Sequence, residues 1–208
     1  MEKQVNVAVL VSGGGTNLQA LIDFSADGDL KSGRLVKVIS SRSDAFALER
    51  AKKSFIETAI VEKKGKTQVE FEQGLIAELE KVNAEVIVLA GFMCILSKDF
   101  TDRYKDRIIN VHPSLIPSFC GEGFYGLKVH EKALEYGVKV TGATVHFVNE
   151  IPDGGKIIMQ KAVSVKEGDT PKKLQKRVME QAEWKILPQA LEKVCANILK
   201  GEKENGKV

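Results

Sequence analysis

The 208-residue sequence predicts an α/β fold: a doubly wound, mostly parallel sheet with an antiparallel section near its C-terminal end. Three observations carry this prediction. Short apolar runs alternate with helix-period stretches through the first half of the chain. The runs at residues 5–11 and 85–90 are apolar almost throughout, the pattern of strands buried on both faces of a parallel sheet. Two further strand-like runs, 140–148 and 157–165, follow one another with no helix between them, which marks antiparallel neighbours.

The first run is broken only by Asn6 and leads into Ser12-Gly13-Gly14-Gly15-Thr16-Asn17, after which Leu18, Ala20, Leu21 and Ile22 recur at helical spacing. A second strand is expected at 35–39, an alanine-rich helix at about 45–53, and a weak strand at 58–61 before the charged loop 62–66. Phe71, Leu75, Ile76 and Leu79 lie on one face of a long helix over 69–82. After the strand at 85–90 come residues 91–96, a short helix near 98–104 and a buried strand at 108–111. A loop rich in glycine and aromatics, 117–126, precedes a helix at 128–136 that Gly137 stops. Thr170-Pro171 opens a single final amphipathic helix carrying Leu174, Val178, Ala182, Leu187 and Leu191. Residues 1–199 read as one domain, and 200–208 as a charged tail expected to fray.

Composition narrows the class of function. The chain is 43% hydrophobic and 28% charged, with 31 Lys and Arg against 28 Asp and Glu, so its net charge is only +3. That balance argues against nucleic acid and membrane as partners, leaving room for a small anionic ligand. Cys94, Cys120 and Cys195 are far apart and odd in number, which suggests neither a disulfide framework nor a zinc knuckle. No signal peptide or membrane-length apolar run is visible, so a cytoplasmic location is expected. No His/Cys/Asp/Glu cluster has metal-ligand spacing, and no metal is expected.

Candidate chemistry gathers at the far end of the 108–111 strand. Asn110 and His112 are two residues apart and point to one face of an extended chain. Pro113 keeps His112 extended. At a rise of roughly 3.3 Å per residue the two side chains emerge about 6–7 Å apart, room for a carbonyl between an amide donor and an imidazole. Alone, the pair reads equally as a strand cap. The glycine loop, between strand and helix, suits an anion: its backbone N–H groups approach closely, and Thr16 or Asn17 can cap the helix or bond a phosphate oxygen. It lacks the Gly-Lys-Ser/Thr of a Walker loop, and Leu18 stands where a dinucleotide fingerprint has Gly or Ala. A phosphate monoester therefore fits better than a dinucleotide, with a plain tight turn as the alternative. Asp153, in Asn149-Glu150-Ile151-Pro152-Asp153-Gly154-Gly155, is either turn chemistry or a carboxylate that orients an imidazole. His146 is either a second site histidine or one satisfied inside the sheet, and His130 is a surface or packing residue.

Taken together, the glycine loop, Leu89-Ala90-Gly91-Phe92-Met93, the stretch from Asn110 to Pro117, Thr144-Val145-His146-Phe147-Val148 and Asp153-Gly154-Gly155 resemble the glycinamide ribonucleotide formyltransferase family. The likeness runs from Val7 to about Leu191 and implies a Rossmann-like formyltransferase fold. It implies transfer of a formyl group from 10-formyltetrahydrofolate to glycinamide ribonucleotide in purine biosynthesis. By this resemblance Asn110, His112 and Asp153 are catalytic: Asn110 donates to the oxyanion, His112 stabilises it or handles the proton, and Asp153 sets the charge of His112 and shuttles the amine proton through water. Gly13, Gly14, Gly15, Thr16, Asn17 and Glu183 would hold the ribonucleotide. Phe92, Met93, Cys94, Ile95, Leu96, Asn149, Glu150, Ile151 and Pro152 would hold the folate.

The chain departs from the family pattern in carrying Cys94 where Arg is frequent, and in offering Lys63, Lys64, Lys66 and Gln68 where another Arg often stands. Lysine lacks arginine's bidentate fork, so the residue that meets a phosphate or the folate carboxylates stays open. Its loop from Cys120 to Gly126 is longer than in some relatives, as a flexible cover over the site would be. Its length favours the ribonucleotide enzyme over a methionyl-tRNA formyltransferase, with its additional C-terminal domain, or a formyltetrahydrofolate hydrolase, with its N-terminal regulatory domain. A non-catalytic nucleotide-phosphate binding module is the alternative outside this class. The expected assembly is a monomer or weak homodimer.

Overall fold

The computed structural model describes residues 3–205. Seven strands form one sheet in the order β3-β2-β1-β4-β5-β6-β7. Strands β1 (Val5–Val11), β2 (Gly33–Ser40), β3 (Glu57–Ile60), β4 (Val86–Leu89) and β5 (Ile108–His112) are parallel, and β6 (Val140–Phe147) runs antiparallel to both β5 and β7 (Ile157–Ser164).

Strand alternation sorts the core into two layers. Val5, Val7, Val9 and Val11 face one cluster together with Leu18, Leu21, Val178, Leu187 and Leu191, contributed by α1 (Thr16–Ala26), α6 (Pro171–Val178) and α7 (Trp184–Asn205). Ala8 and Leu10 face the other, with Phe71, Leu75 and Leu79 of α3 (Gln68–Lys81) and Phe100 of α4 (Lys98–Arg103). Each face needs its own apolar set, which is why the parallel strands read as continuous apolar runs. Local signals fix several ends. Thr67 and Glu70 form a capping box at the start of α3, while Gly137, at φ 80°, ends α5 (Leu127–Tyr136).

The single final helix expected from sequence is interrupted. Between α6 and α7 lies a π-helical turn, Met179–Glu183, and Pro188 sits inside α7. Proline has no N–H to bond the carbonyl four residues back, so the α ladder is already broken beside this turn. Extra-residue turns of this kind re-aim side chains and concentrate at functional sites. Where the sequence suggests a fraying tail from residue 200, α7 carries on through Asn205, and residues 206–208 lie outside the described residues.

Strand order reverses between β1 and β4, the switch point at which open α/β sheets leave a crevice beyond the carboxyl ends of their strands. The glycine loop after β1 and residues 91–96 after β4 both open there, with the end of β5 alongside.

Candidate active site

One side of the crevice is built by the glycine loop. Ser12 Oγ lies 2.6 Å from Ser41 Oγ and accepts from the Met93 backbone N–H at 2.9 Å, tying together the loops that follow β1, β2 and β4. Gly15 adopts a left-handed φ of 73°, and a Cβ there would fall 2.7 Å from the Ala47 Cβ. No such crowding exists at Gly13 or Gly14, where an added Cβ meets nothing within 4 Å. Gly15 is the N-cap of α1 and no side chain caps the helix, so neither Thr16 nor Asn17 takes the capping role that the sequence allowed. The first N–H groups of α1 are thus left for a ligand.

Asn17 reaches instead across to the π turn, donating from Nδ2 to Glu183 Oε2 at 2.9 Å. The sequence-distant pair Asn17 and Glu183 is therefore one unit. Glu183 is buried, and burial pushes its carboxyl above the usual range against the opposing Asn17 hydrogen bond. Asn17 Oδ1 is buried with no partner among the described residues, an acceptor that a ligand hydroxyl can satisfy.

The polar face of β5 forms the centre. Asn110 stands opposite His146 of β6, and His112 opposite Thr144. Directly opposed residues on antiparallel strands have Cβ atoms about 4.5–5.5 Å apart, so their side chains meet. Asn110 Nδ2 lies 3.3 Å from His146 Nε2, and His146 Nδ1 lies 2.8 Å from the Phe147 carbonyl oxygen. Thr144 holds the corner after His112: its hydroxyl donates to the Ser114 carbonyl at 2.7 Å and accepts from the Ile116 N–H at 3.0 Å.

The loop between β6 and β7 doubles back over this face and delivers Asp153 to both imidazoles. Its Oδ2 is 3.3 Å from His112 Nδ1, and its Oδ1 is 3.5 Å from His146 Nε2. A second loop closes over the same groups. Phe119 presents its carbonyl oxygen 2.9 Å from His112 Nε2, and the Gly121 N–H donates to Asp153 Oδ2 at 2.9 Å. His112 thus faces two acceptors while its neutral ring carries one N–H, which favours the imidazolium. Burial opposes that charge and prevails, leaving the His112 pKa below its usual 6.5. The Asp153 charge and the Phe119 carbonyl pull it up, and His146 pushes it down. Burial raises the Asp153 carboxyl, but the His146 contact, the His112 charge and the Gly121 N–H together hold it below the ordinary value.

Beyond Asn110 lies a cavity of about 140 Å³. Its lining includes Phe92, Cys94, Ile95, Leu96, Asn149, Glu150, Ile151 and Pro152, with Asn110, His146 and Asp153 closing it on the β5 side. Met93 is the exception in that set. Its backbone serves Ser12, its side chain is 61% exposed, and it does not line the cavity. Phe71 stacks on Phe92 with ring centres 6.3 Å apart, and Lys63 Nζ sits 5.9 Å from the Phe71 ring centre. Gln68 is committed elsewhere, donating to Glu72 at 2.6 Å and to the Ile95 carbonyl at 3.0 Å. Among the basic candidates, Lys63 is the one placed beside a ring that stacks on the cavity-lining Phe92.

Sequence reading left His146 undecided and missed the backbone groups of Phe119 and Gly121. The alternating run 144–148 does carry the signal for His146, because register places it opposite a residue already under suspicion. Nothing local marks a loop carbonyl. The chain and its fold have counterparts among known proteins. The formyl transferase family model matches residues 5–191. The chain is 44% identical over 208 residues to the human trifunctional purine biosynthetic protein adenosine-3, matching 100% of this chain and 20% of that one, so it spans a fifth of that relative's length. It is 40% identical over 178 residues to the Escherichia coli phosphoribosylglycinamide formyltransferase, covering 85% of this chain and 81% of that one. The crystal structure of glycinamide ribonucleotide transformylase 1 from Symbiobacterium toebii superposes with a TM-score of 0.86 at 37% identity, covering 93% of this chain and 89% of that one. With a crevice at the switch point, an Asn–His–Asp cluster at its centre and these matches over nearly its whole length, the chain belongs to the formyl transferase family.

Proposed function

We propose that the protein transfers the formyl group of 10-formyltetrahydrofolate to the amino group of glycinamide ribonucleotide, yielding formylglycinamide ribonucleotide and tetrahydrofolate in de novo purine biosynthesis. The observation that carries this is the position of Asn110, His112 and Asp153 between two differently built pockets. On one side are free helix N–H groups and the Asn17–Glu183 pair, suited to phosphate and ribose hydroxyls. On the other is a cavity walled by Phe92, Ile95 and Ile151, suited to a flat heteroaromatic ring. Lys63 is our candidate for the folate carboxylates.

The chemistry then runs through groups already in place. The ribonucleotide amine attacks the formyl carbon, and its carbonyl oxygen becomes an oxyanion. Asn110 donates an N–H to that oxygen, a contribution of about 3–4 kcal/mol where single donors of this type have been removed in other enzymes. His112 supplies the second donor once its Nε2 leaves the Phe119 carbonyl, so loop 117–126 shifts as the substrates seat. The amine proton passes through water to Asp153 and is returned through water to the folate nitrogen as the intermediate collapses with cleavage of the bond between the formyl carbon and that nitrogen. We place the reaction in the cytoplasm, in a monomer or weak homodimer. Among the described residues, no helix is long and apolar enough to cross a membrane.

The test is formyl transfer from 10-formyltetrahydrofolate to glycinamide ribonucleotide by wild type beside His112→Ala and Asp153→Asn. Activity that both substitutions leave intact sinks the mechanism. Tight binding of both ligands by the wild type with no turnover favours the binding module.

A further inference from the structure

His146 has no role in the mechanism above, yet it is 1% exposed and in contact with two of the three groups that do. Its Nδ1 is 2.8 Å from the Phe147 carbonyl oxygen, which can only accept, so Nδ1 carries a hydrogen. The neutral ring then has its lone pair on Nε2, the atom that faces Asn110 at 3.3 Å. A lone pair there repels an amide oxygen and accepts from an amide nitrogen. The tautomer set by Phe147 therefore selects which way the Asn110 amide is turned.

Without such a partner, the Asn110 side chain is free to present either its oxygen or its nitrogen to a ligand. Turned the wrong way, it would place an acceptor against the developing oxyanion. We propose that His146 is the positioning residue for Asn110: its Nε2 lone pair binds one amide N–H and so commits the other to the formyl oxygen. The second neighbour of Nε2 competes with this. Asp153 Oδ1, at 3.5 Å, is an acceptor too: only a protonated ring can donate to it, which is the form in which His146 holds the Asp153 carboxyl low, and it does so at the cost of the Asn110 bond. Asn110 at the shorter distance is the neutral ring's partner. The inference rests on the formyl-transfer reading for its catalytic consequence, but not for its geometry.

Two experiments decide it. In the full chain labelled with 15N-histidine, His146 is expected as the neutral Nδ1–H form with an unprotonated, hydrogen-bonded Nε2. An Nε2–H tautomer overturns the proposal, and this readout stands whether or not the protein transfers formyl groups. In the transfer assay, His146→Leu should lower kcat about 10–100-fold with both KM values within about threefold, the pattern of a contact made only in the transition state. His146→Gln, whose side-chain oxygen can accept from Asn110 while its amide N–H faces Phe147, should recover much of the loss and shows that the effect is not general misfolding. In an Asn110→Ala background, His146→Leu should cost less than about twofold more, because the group it positions is gone. Equal losses in both backgrounds, or a loss confined to KM, overturn the role. A wild type with no transfer activity refutes the parent reading alone, since the tautomer is measured independently.

Discussion

Asp153→Asn isolates the electrostatic part of the mechanism, because the amide keeps the shape of the carboxyl and removes only its charge. In the structure Asp153 Oδ2 is 3.3 Å from His112 Nδ1, and the carboxylate is 12% exposed. At that separation, a unit charge pair with an effective dielectric near 20 is worth about 5 kcal/mol. Part of this is recovered by the Asn amide and by water, so a loss of about 3–5 kcal/mol is expected wherever His112 carries charge, or roughly 10²–10⁴ in kcat. The ribonucleotide KM should move little, since Asp153 touches neither the glycine loop nor the Glu183 pair, whereas the folate KM can shift because Asp153 closes that cavity on the β5 side. The same substitution should lower the His112 pKa further, because the Asp153 charge is what pulls it upward against burial. Steady-state kinetics across pH, together with 15N titration of His112, measures both effects. A kcat within threefold of wild type, or a His112 pKa that stays put or rises, would refute the argument that Asp153 acts through the charge of His112.

Gly14→Val should weaken glycinamide ribonucleotide binding by about tenfold or more while leaving the melting temperature near wild type, since its side chain would enter open space where the ligand belongs. Isothermal titration beside thermal melts checks this, and a selective loss of folate binding would mean that the two pockets are assigned backwards. Gly15→Ala should do the reverse at first order and destabilise the fold by roughly 1–3 kcal/mol, through a positive φ and a 2.7 Å approach to Ala47. Glu183→Gln should raise KM for the ribonucleotide with kcat less affected, because the carboxyl touches Asn17 and the pocket and not the reacting atoms. His130 is fully buried with neither ring nitrogen partnered among the described residues, and burial pushes its pKa down to about 4, with His112 adding to the effect. Below pH 6.5 the unfolded chain therefore takes up a proton that the folded one refuses, so stability is lost as pH falls from 6.5 toward 4. That loss is at most about 3 kcal/mol. Denaturant melts across this window should show a shallower fall for His130→Phe than for wild type.

Much of this was legible because adjacent levels agreed. The apolar runs at 5–11 and 85–90 had no alternative to central strands, and the missing helix between 148 and 157 gave the antiparallel edge. Asn110 and His112 were visible because polar residues at a two-residue spacing interrupt an apolar strand, and the carboxylate at the tip of a Pro-Gly loop was visible as turn chemistry. What stayed hidden depends on long-range contact. No local pattern says that Asn17 bonds Glu183, 166 positions away, or that Thr16 leaves α1 uncapped. The π turn also escaped, since Leu174, Val178 and Ala182 keep helical spacing straight into it, and only Pro188 hints that the ladder is broken. The sequence also gives no sign that the Met93 side chain lies outside the cavity that its neighbours Phe92 and Cys94 line.

The reversal of strand direction at β6 explains why this site can exist in the middle of a sheet. Asn110, His112, Thr144 and His146 place four polar side chains on one face of adjacent strands, three of them buried. Unpaired, each would cost about 1–3 kcal/mol. Antiparallel pairing sets Asn110 directly against His146 and His112 against Thr144, and the 148–156 loop that follows returns Asp153 to the same face. Gly155 makes that return possible, because a Cβ there would sit 1.7 Å from the Phe147 carbonyl oxygen. A β7 parallel to β6 would need a crossover of a dozen or more residues and could not bring a short loop back over the face of β6. Gly155→Ala therefore tests the architecture and not the chemistry. It should displace Asp153 from both imidazoles, lowering kcat as Asp153→Asn does, but it should also cost stability, which Asp153→Asn need not. If Gly155→Ala retains full activity, that loop is not what positions Asp153.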